Sequence, residues 1–564
     1  MYEFAFAEPG DGRDSYSDRG SLHLHDNKTT LLPIIESPLR YAKGEDPRFG
    51  LRAESNTIEL FFDLFLIANL ATFTANHSIT DTSTLVAYIG LFGIIWFTWL
   101  QITLHDVRFA LDSGYERACK VFQFVMFVGF ALVGSSFNPG GKEHNNTYGV
   151  ALFFIRKKVR GLAFPLGLTI TTFVLCGGAY YSMVPAFSAS SGNGLGIYYV
   201  WYIIIGIEVA VVIGTASIWR KLSFKKTHLM ERMGLLTLII IGEGAIGATK
   251  TVAKLMSKSG LTFEGCFLIV CIVLILVRPP RPPNTDPDRP LTPSSQTLLF
   301  VLYFDTTTHA HFGSIRQLVW VFLNFPLHLG IVGIVEGSQQ IALARYVFKQ
   351  FGSFQNTIGS ACLTEHLSGA NLTNALITTV KSFKLDEKVE SRDQVPVILA
   401  SIYAVGNATG VCAESNTTAA AMPPLLREAS TDVLGGLFES TGVKVTAGED
   451  AFLSARSAYL TLYIYYWASV FLAMVCFAAL FWVVSSKDRP RGGCAGANVF
   501  ERLAIASRMF VAAVAVGMAA GAANHMFIYH FMKSPAVLPV VVGLLAAIVL
   551  CDRLGRWLAL RAAA

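Results

Sequence analysis

Charge is what this sequence has least of. Only 15% of its 564 residues are Asp, Glu, Lys or Arg, against 53% hydrophobic ones, where an ordinary soluble domain carries roughly 25% charge. Mean hydropathy is +0.49, so a soluble fold is excluded and a membrane protein is expected. Nine cysteines are too few for a disulfide scaffold, and 45 bases against 39 acids are too balanced for a nucleic-acid binder. Alternating segments of about 10 residues, the mark of a barrel strand, are also missing; the apolar runs are about 20 residues long and unbroken. The expected fold is all-α, a polytopic transmembrane helical bundle.

Enzyme signatures are equally scarce. There is no phosphate-binding glycine loop ahead of Lys-Ser/Thr, no nucleophile elbow and no Cys-x-x-Cys pair, and Gly140-Gly-Lys142 lacks the rest of a Walker motif. No enzyme activity, cofactor or nucleic-acid partner is therefore expected; the lipid bilayer and a small ion or proton are the expected partners.

Residues 1–57 are polar, without a basic-then-apolar leader, and read as a disordered cytoplasmic N-terminus. Spans are expected near 58–75, 84–103, 118–137, 162–184, 195–219, 229–250, 317–340, 459–483, 508–532 and 536–551, as part of about 11–12 in all. Arg40, Lys43, Arg48 and Arg52 precede the first span, whereas 76–83 has no base. By the positive-inside rule this end is cytoplasmic, and Arg117, Lys120, Arg220, Lys221, Lys487 and Arg489 mark the same side. Both termini then face the cytoplasm. Residues 58–345 form the transmembrane core, 346–455 a large extracytoplasmic loop, and 456–564 a C-terminal transmembrane extension.

That loop holds three N-glycosylation sequons, at Asn371, Asn407 and Asn416, on three of its five asparagines. Cys362 and Cys412 are the two cysteines on the outer face, and a disulfide between them suits an oxidising lumen. Two regions are irregular. Between Asn145 and Arg156 only about seven apolar residues separate an outer from an inner marker, too few to cross a core about 30 Å thick. Val277–Gln296 carries seven of the 21 prolines and interrupts one apolar run; its ends can be encoded with splice-site sequences, and it is expected to be a translated intron, the alternative being a Pro-rich re-entrant loop.

An ionisable group inside a span costs about 2.5–3.5 kcal/mol on insertion scales and is by default a functional candidate. Glu59 and Asp63 stand at i and i+4 on one helix face, able to share a proton or bind a cation; the alternative leaves Glu59 at the interface and only Asp63 buried. At 100° per residue Arg232 and Glu243 lie within about 20° of one another, about 16 Å apart along the axis, with His228 about 40° from Arg232. Asp305 and His309 form another i, i+4 pair, followed by His328 and Glu336. Glu231, beside Arg232, joins the candidate path of Glu59, Asp63, His228, Arg232, Glu243, Asp305 and His328. His309-Ala-His311 lacks a third ligand, so no metal site is expected. Glu208 is mid-span, His525 and His530 suit an interface, and Trp96 and Trp99 read as packing or an aromatic belt.

At these residues the sequence resembles the low temperature requirement A (LtrA) membrane proteins, in a fungal-type form. The resemblance rests on Glu59-Leu-Phe-Phe-Asp-Leu-Phe, on His228-Leu-Met-Glu-Arg-Met-Gly through Gly242-Glu243, on Leu302-Tyr-Phe-Asp305 and on His328-Leu-Gly-Ile-Val, in that order. It covers roughly 50–340. It implies a membrane protein without an assigned biochemical activity, and it implies a full span before Arg156 and an unbroken helix into Leu302, both of which fail at the two irregular regions. An ion- or proton-linked transporter or channel is the first functional expectation. A membrane scaffold or sensor with buried structural ion pairs is the second.

Overall fold

The computed structural model describes residues 57–76, 82–109, 114–134, 197–218, 227–259, 298–307, 314–386, 391–408, 410–412, 423–441, 451–485, 495–523 and 536–563, with short pieces elsewhere. Both irregular regions, 148–160 and 277–296, lie outside the described residues, as does nearly all of 1–56.

The described chain is helical apart from a two-residue antiparallel ladder, Leu39–Arg40 with Arg48–Phe49. In order come α1 (Thr57–Asn76), α2 (Thr82–Phe109), α3 (Gly114–Gly134), α4 (Ile197–Ile218), α5 (Leu229–Ser259), α6 (Leu298–Thr307) and α7 (Ser314–Gly359). They are followed by α8 (Gly369–Ser382), α9 (Val395–Asn407), α10 (Pro424–Glu439), α11 (Ala451–Ser485), α12 (Ala495–Ala520) and α13 (Val537–Ala563). Five described helices are long and apolar enough to cross a bilayer: most of α2, α11, α12 and α13, and α7 from Ile315 on through the turn that follows it. The protein is a multi-pass membrane protein of the all-α class.

These helices form because runs such as Ile197–Ile218 can satisfy their backbone groups only internally once water is gone. Their mutual packing depends on small residues. On α7, Gly330, Gly333 and Gly337 make a seam into which α11 settles; a β-carbon at Gly330 would lie 2.9 Å from the Ala473 backbone nitrogen, and one at Gly337 2.7 Å from the Tyr466 ring. Gly244 and Gly247 do the same for α5 against Val335 and Gln339 of α7. Helix α7 thus sits between α5 and α11, while α1 is held by α2, α3 and α5.

Segment 346–455, expected as a loop, is largely helical. Helix α7 runs on to Gly359 and ends in a π turn, Ser360–Thr364. Its 46 residues are about 69 Å long at 1.5 Å per residue, more than twice the hydrocarbon thickness, so it projects well beyond one face. Helices α8, α9 and α10 pack together beside that projection through Leu376, Val380, Ile398, Ile402, Val433 and Leu437. A disulfide joins Cys362, in the π turn, to Cys412 after α9.

Candidate functional site

Two pairs of residues one helical turn apart meet across α1 and α5. Glu59 and Asp63 face His228 and Arg232: His228 Nε2 lies 3.1 Å from Glu59 Oε2, and Arg232 is 3.4 Å from the same oxygen. Arg232 also donates to Asp63 Oδ1 at 2.6 Å and to the Glu59 carbonyl at 3.3 Å. Both acids are buried, at 3% and 0% exposure, so Glu59 is enclosed as fully as Asp63. The i, i+4 spacing on each helix lets two turns of one zip against two turns of the other.

Helix α2 closes the arrangement. Trp99 Nε1 donates to Asp63 Oδ1 at 2.7 Å, and the Arg232 guanidinium lies 6.0 Å from the Trp99 ring. Trp96, one turn away, donates to His328 Nδ1 at 3.0 Å. The indoles read from sequence as belt or packing are therefore buried donors to ionisable groups. Since His328 Nδ1 accepts, the ring is neutral with its proton on Nε2, which faces Thr237 Oγ1 at 2.7 Å; Thr237 donates onward to the Met233 carbonyl at 2.9 Å.

Asp106, near the end of α2, pairs with Lys120, near the start of α3, and His105 Nδ1 lies 3.6 Å from Asp106 Oδ1. Lys120 sits over the Phe62 ring and is 8% exposed. It is thus a buried ion-pair partner of Asp106. Asp106 is close enough to interact electrostatically with both Asp63 and Arg232, so the two groups form one cluster on four helices. It holds three acids, two permanent bases and the imidazoles of His228 and His105. Asp63 Oδ2, Asp106 Oδ1 and Arg232 Nε are buried without a hydrogen-bond partner among the described residues.

Sequence reasoning passed over Asp106, although an acid in the last turns of an apolar run was signal enough. Of the other candidates, Glu231 is exposed on α5. Glu243 is half-buried and interacts electrostatically with Lys250. Asp305 lies on α6, its side chain outside the described residues, as are His309, His311, His525 and His530. Glu208 accepts from Gln101 at 2.5 Å between α4 and α2. Asn371, at the start of α8, and Asn407, at the end of α9, are exposed, and Asn416 is outside the described residues. Among the described residues no three His, Cys, Asp or Glu side chains are grouped to hold a metal ion.

The four cluster helices lie in a stretch that has a known counterpart. Residues 54–278 match the family model described as bacterial low temperature requirement A protein (LtrA). This stretch belongs to the LtrA family. The LtrA region contains every member of the cluster, from Glu59 to Arg232, and its match stops at the second residue of the Pro-rich segment 277–296. Leu302–Asp305, His328 and Glu336 lie beyond it. No match was found among curated proteins or solved structures.

Proposed function

We propose that this LtrA protein passes a proton or a small ion through its membrane bundle, with Glu59, Asp63 and Asp106 as the carboxylates of the path and His228 and Arg232 controlling their charge. The observation that carries this reading is that three carboxylates, Glu59, Asp63 and Asp106, are buried together in one cluster inside an apolar bundle. Along α2, moreover, Tyr88, Trp96, Trp99 and Asp106 each meet a polar group of another helix. They lie within about 80° of one face and span about 27 Å, close to the thickness of a hydrocarbon core.

Flux in proteoliposomes tests it. Asp63→Asn and Glu59→Gln are expected to lose most proton or cation flux; unchanged flux in both rejects the path, and Glu243→Gln measures whether the half-buried acid outside the cluster contributes. A scaffold reading also has an observation behind it, since Arg232 engages both acids of α1 as a structural clasp would. Exchanging the partners, Asp63→Arg with Arg232→Asp, separates the two: both readings expect partial recovery of folding, and only the scaffold reading expects full recovery of function.

We read α8–α10 as extracytoplasmic and glycosylated. What supports this is that Thr373, of the Asn371 sequon, packs against Gly406 beside Asn407, which gathers both sequons near the disulfide at the projecting end of α7. A mobility shift on glycosidase treatment, lost in Asn371→Gln/Asn407→Gln/Asn416→Gln, is the expected result.

A further inference from the structure

A second polar site lies on α7, two turns from His328 and outside the LtrA match. Glu336 lies within an apolar span, and its Oε2 is sealed from solvent with no hydrogen-bond partner among the described residues. Its Oε1 is 3.4 Å from Gln340 Nε2, which leaves the Gln340 carbonyl oxygen available. The Tyr88 hydroxyl of α2 is directed at the carboxyl. From α11 comes Tyr465, only 6% exposed, whose hydroxyl is within electrostatic reach of Glu336 and has no hydrogen-bond partner among the described residues. Glu336 makes no described ion pair with any Lys, Arg or His.

The first cluster differs in this respect: there every acid meets a base. A carboxylate in a dry interior needs a countercharge, and bringing two tyrosine hydroxyls and a side-chain amide to it without a base is what an oxygen-lined cation site requires. Hard oxygen donors select alkali or alkaline-earth ions over transition metals, and one formal negative charge balances a single positive one. The scaffold is fixed: Gly333, one turn before Glu336, lets the Tyr465 ring approach to 3.3 Å of where a β-carbon would stand. We propose that Glu336, Tyr88, Tyr465 and Gln340 bind one monovalent alkali-metal cation.

This site deepens the transport reading by placing a bound ion at the end of the α2 column opposite the charge cluster, yet it rests on the surroundings of Glu336 alone. The test is thermal unfolding of the purified full-length protein in detergent, at constant pH and ionic strength, with NaCl, KCl or LiCl replacing choline chloride. At least one alkali ion is expected to raise Tm saturably, as a ligand of the native state does; Glu336→Gln is expected to abolish that shift and Asp63→Asn to retain it. Should Glu336→Gln fail to fold, Tyr465→Phe, which removes one hydroxyl and no charge, is expected to raise the half-saturating concentration severalfold. No alkali-specific shift, or one unchanged in these variants, overturns the assignment. So does a Tm that depends on Glu336 and pH equally in choline, which makes the site a proton site. An intact cation shift without flux rejects transport and leaves the binding site standing.

Discussion

Removing the Arg232 guanidinium leaves Glu59 and Asp63 buried opposite His228 alone, and the cost is set less by the lost attraction than by the stranded charge. Breaking a buried ion pair from one side typically costs about 3–5 kcal/mol, so Arg232→Met should lower the unfolding temperature sharply and reduce the yield of monodisperse protein. Arg232→Lys should not rescue it, because one ammonium cannot reach Asp63, Glu59 and the Glu59 carbonyl together. Outside the membrane the relevant carboxyl is Asp432 on α10. Burial pushes its pKa above the ordinary carboxylate range, Glu428 adds to the rise, and a hydrogen bond with Ser401 opposes it. A carboxyl whose folded pKa is raised supports stability fully at pH below its unfolded value and loses that support as pH rises through the folded one. Asp432→Asn is therefore expected to raise Tm at pH 7 and to leave it unchanged near pH 4, as scanning calorimetry at the two pH values would show.

Helices carry their own lesson about small residues. Gly330→Ala places a β-carbon 2.9 Å from the Ala473 backbone nitrogen, where no side chain can swing away; separating α7 from α11 should cost about 1–3 kcal/mol, the range for overpacking. Gly517→Ala on α12 meets nothing within 4 Å and should be neutral or gain up to about 1 kcal/mol of helix propensity. Chemical denaturation of the pair checks the contrast. At this scale much was legible beforehand. The i, i+4 pairs Glu59/Asp63 and His228/Arg232 follow from helical periodicity alone. Their meeting does not, because α1 and α5 are some 170 residues apart in the chain and only packing selects which stripe faces which. The same periodicity put Glu243 on the stripe of Arg232, yet the neighbour changes along α5: α1 covers its first turns, whereas α7 packs at Gly244 and Gly247. Helices α8–α10 looked like loop because segments of 13 to 16 residues fall short of a membrane span, and their burial is against one another.

As a whole the molecule joins an LtrA region, with its charge cluster, to helices beyond the match that bring Glu336, Tyr465 and the α8–α10 unit, in which the disulfide encloses α8 and α9. The Cys362–Cys412 bridge spans 50 residues, and closing a loop of that length stabilises by about 4 kcal/mol in the chain-entropy account. Cys362→Ser should accordingly expose the α8–α10 unit to limited proteolysis while leaving the apolar spans protected. The Pro-rich segment 277–296 belongs to this scale too. Mature transcript lacking its 60 nucleotides is the expected finding, and their presence there removes the intron reading.

The sequence by itself determined that this is a helical membrane protein and which charges are scarce enough to matter, because apolar run length and helical period are local properties. Only the tertiary structure decided that Asp106, Lys120 and Trp99 belong with Glu59, Asp63, His228 and Arg232, and that among the described residues Glu336 lies near two tyrosines and pairs with no base. The reason is physical: the cost of a buried charge is fixed by its neighbours, and in a bundle those neighbours come from helices that the linear order does not place side by side.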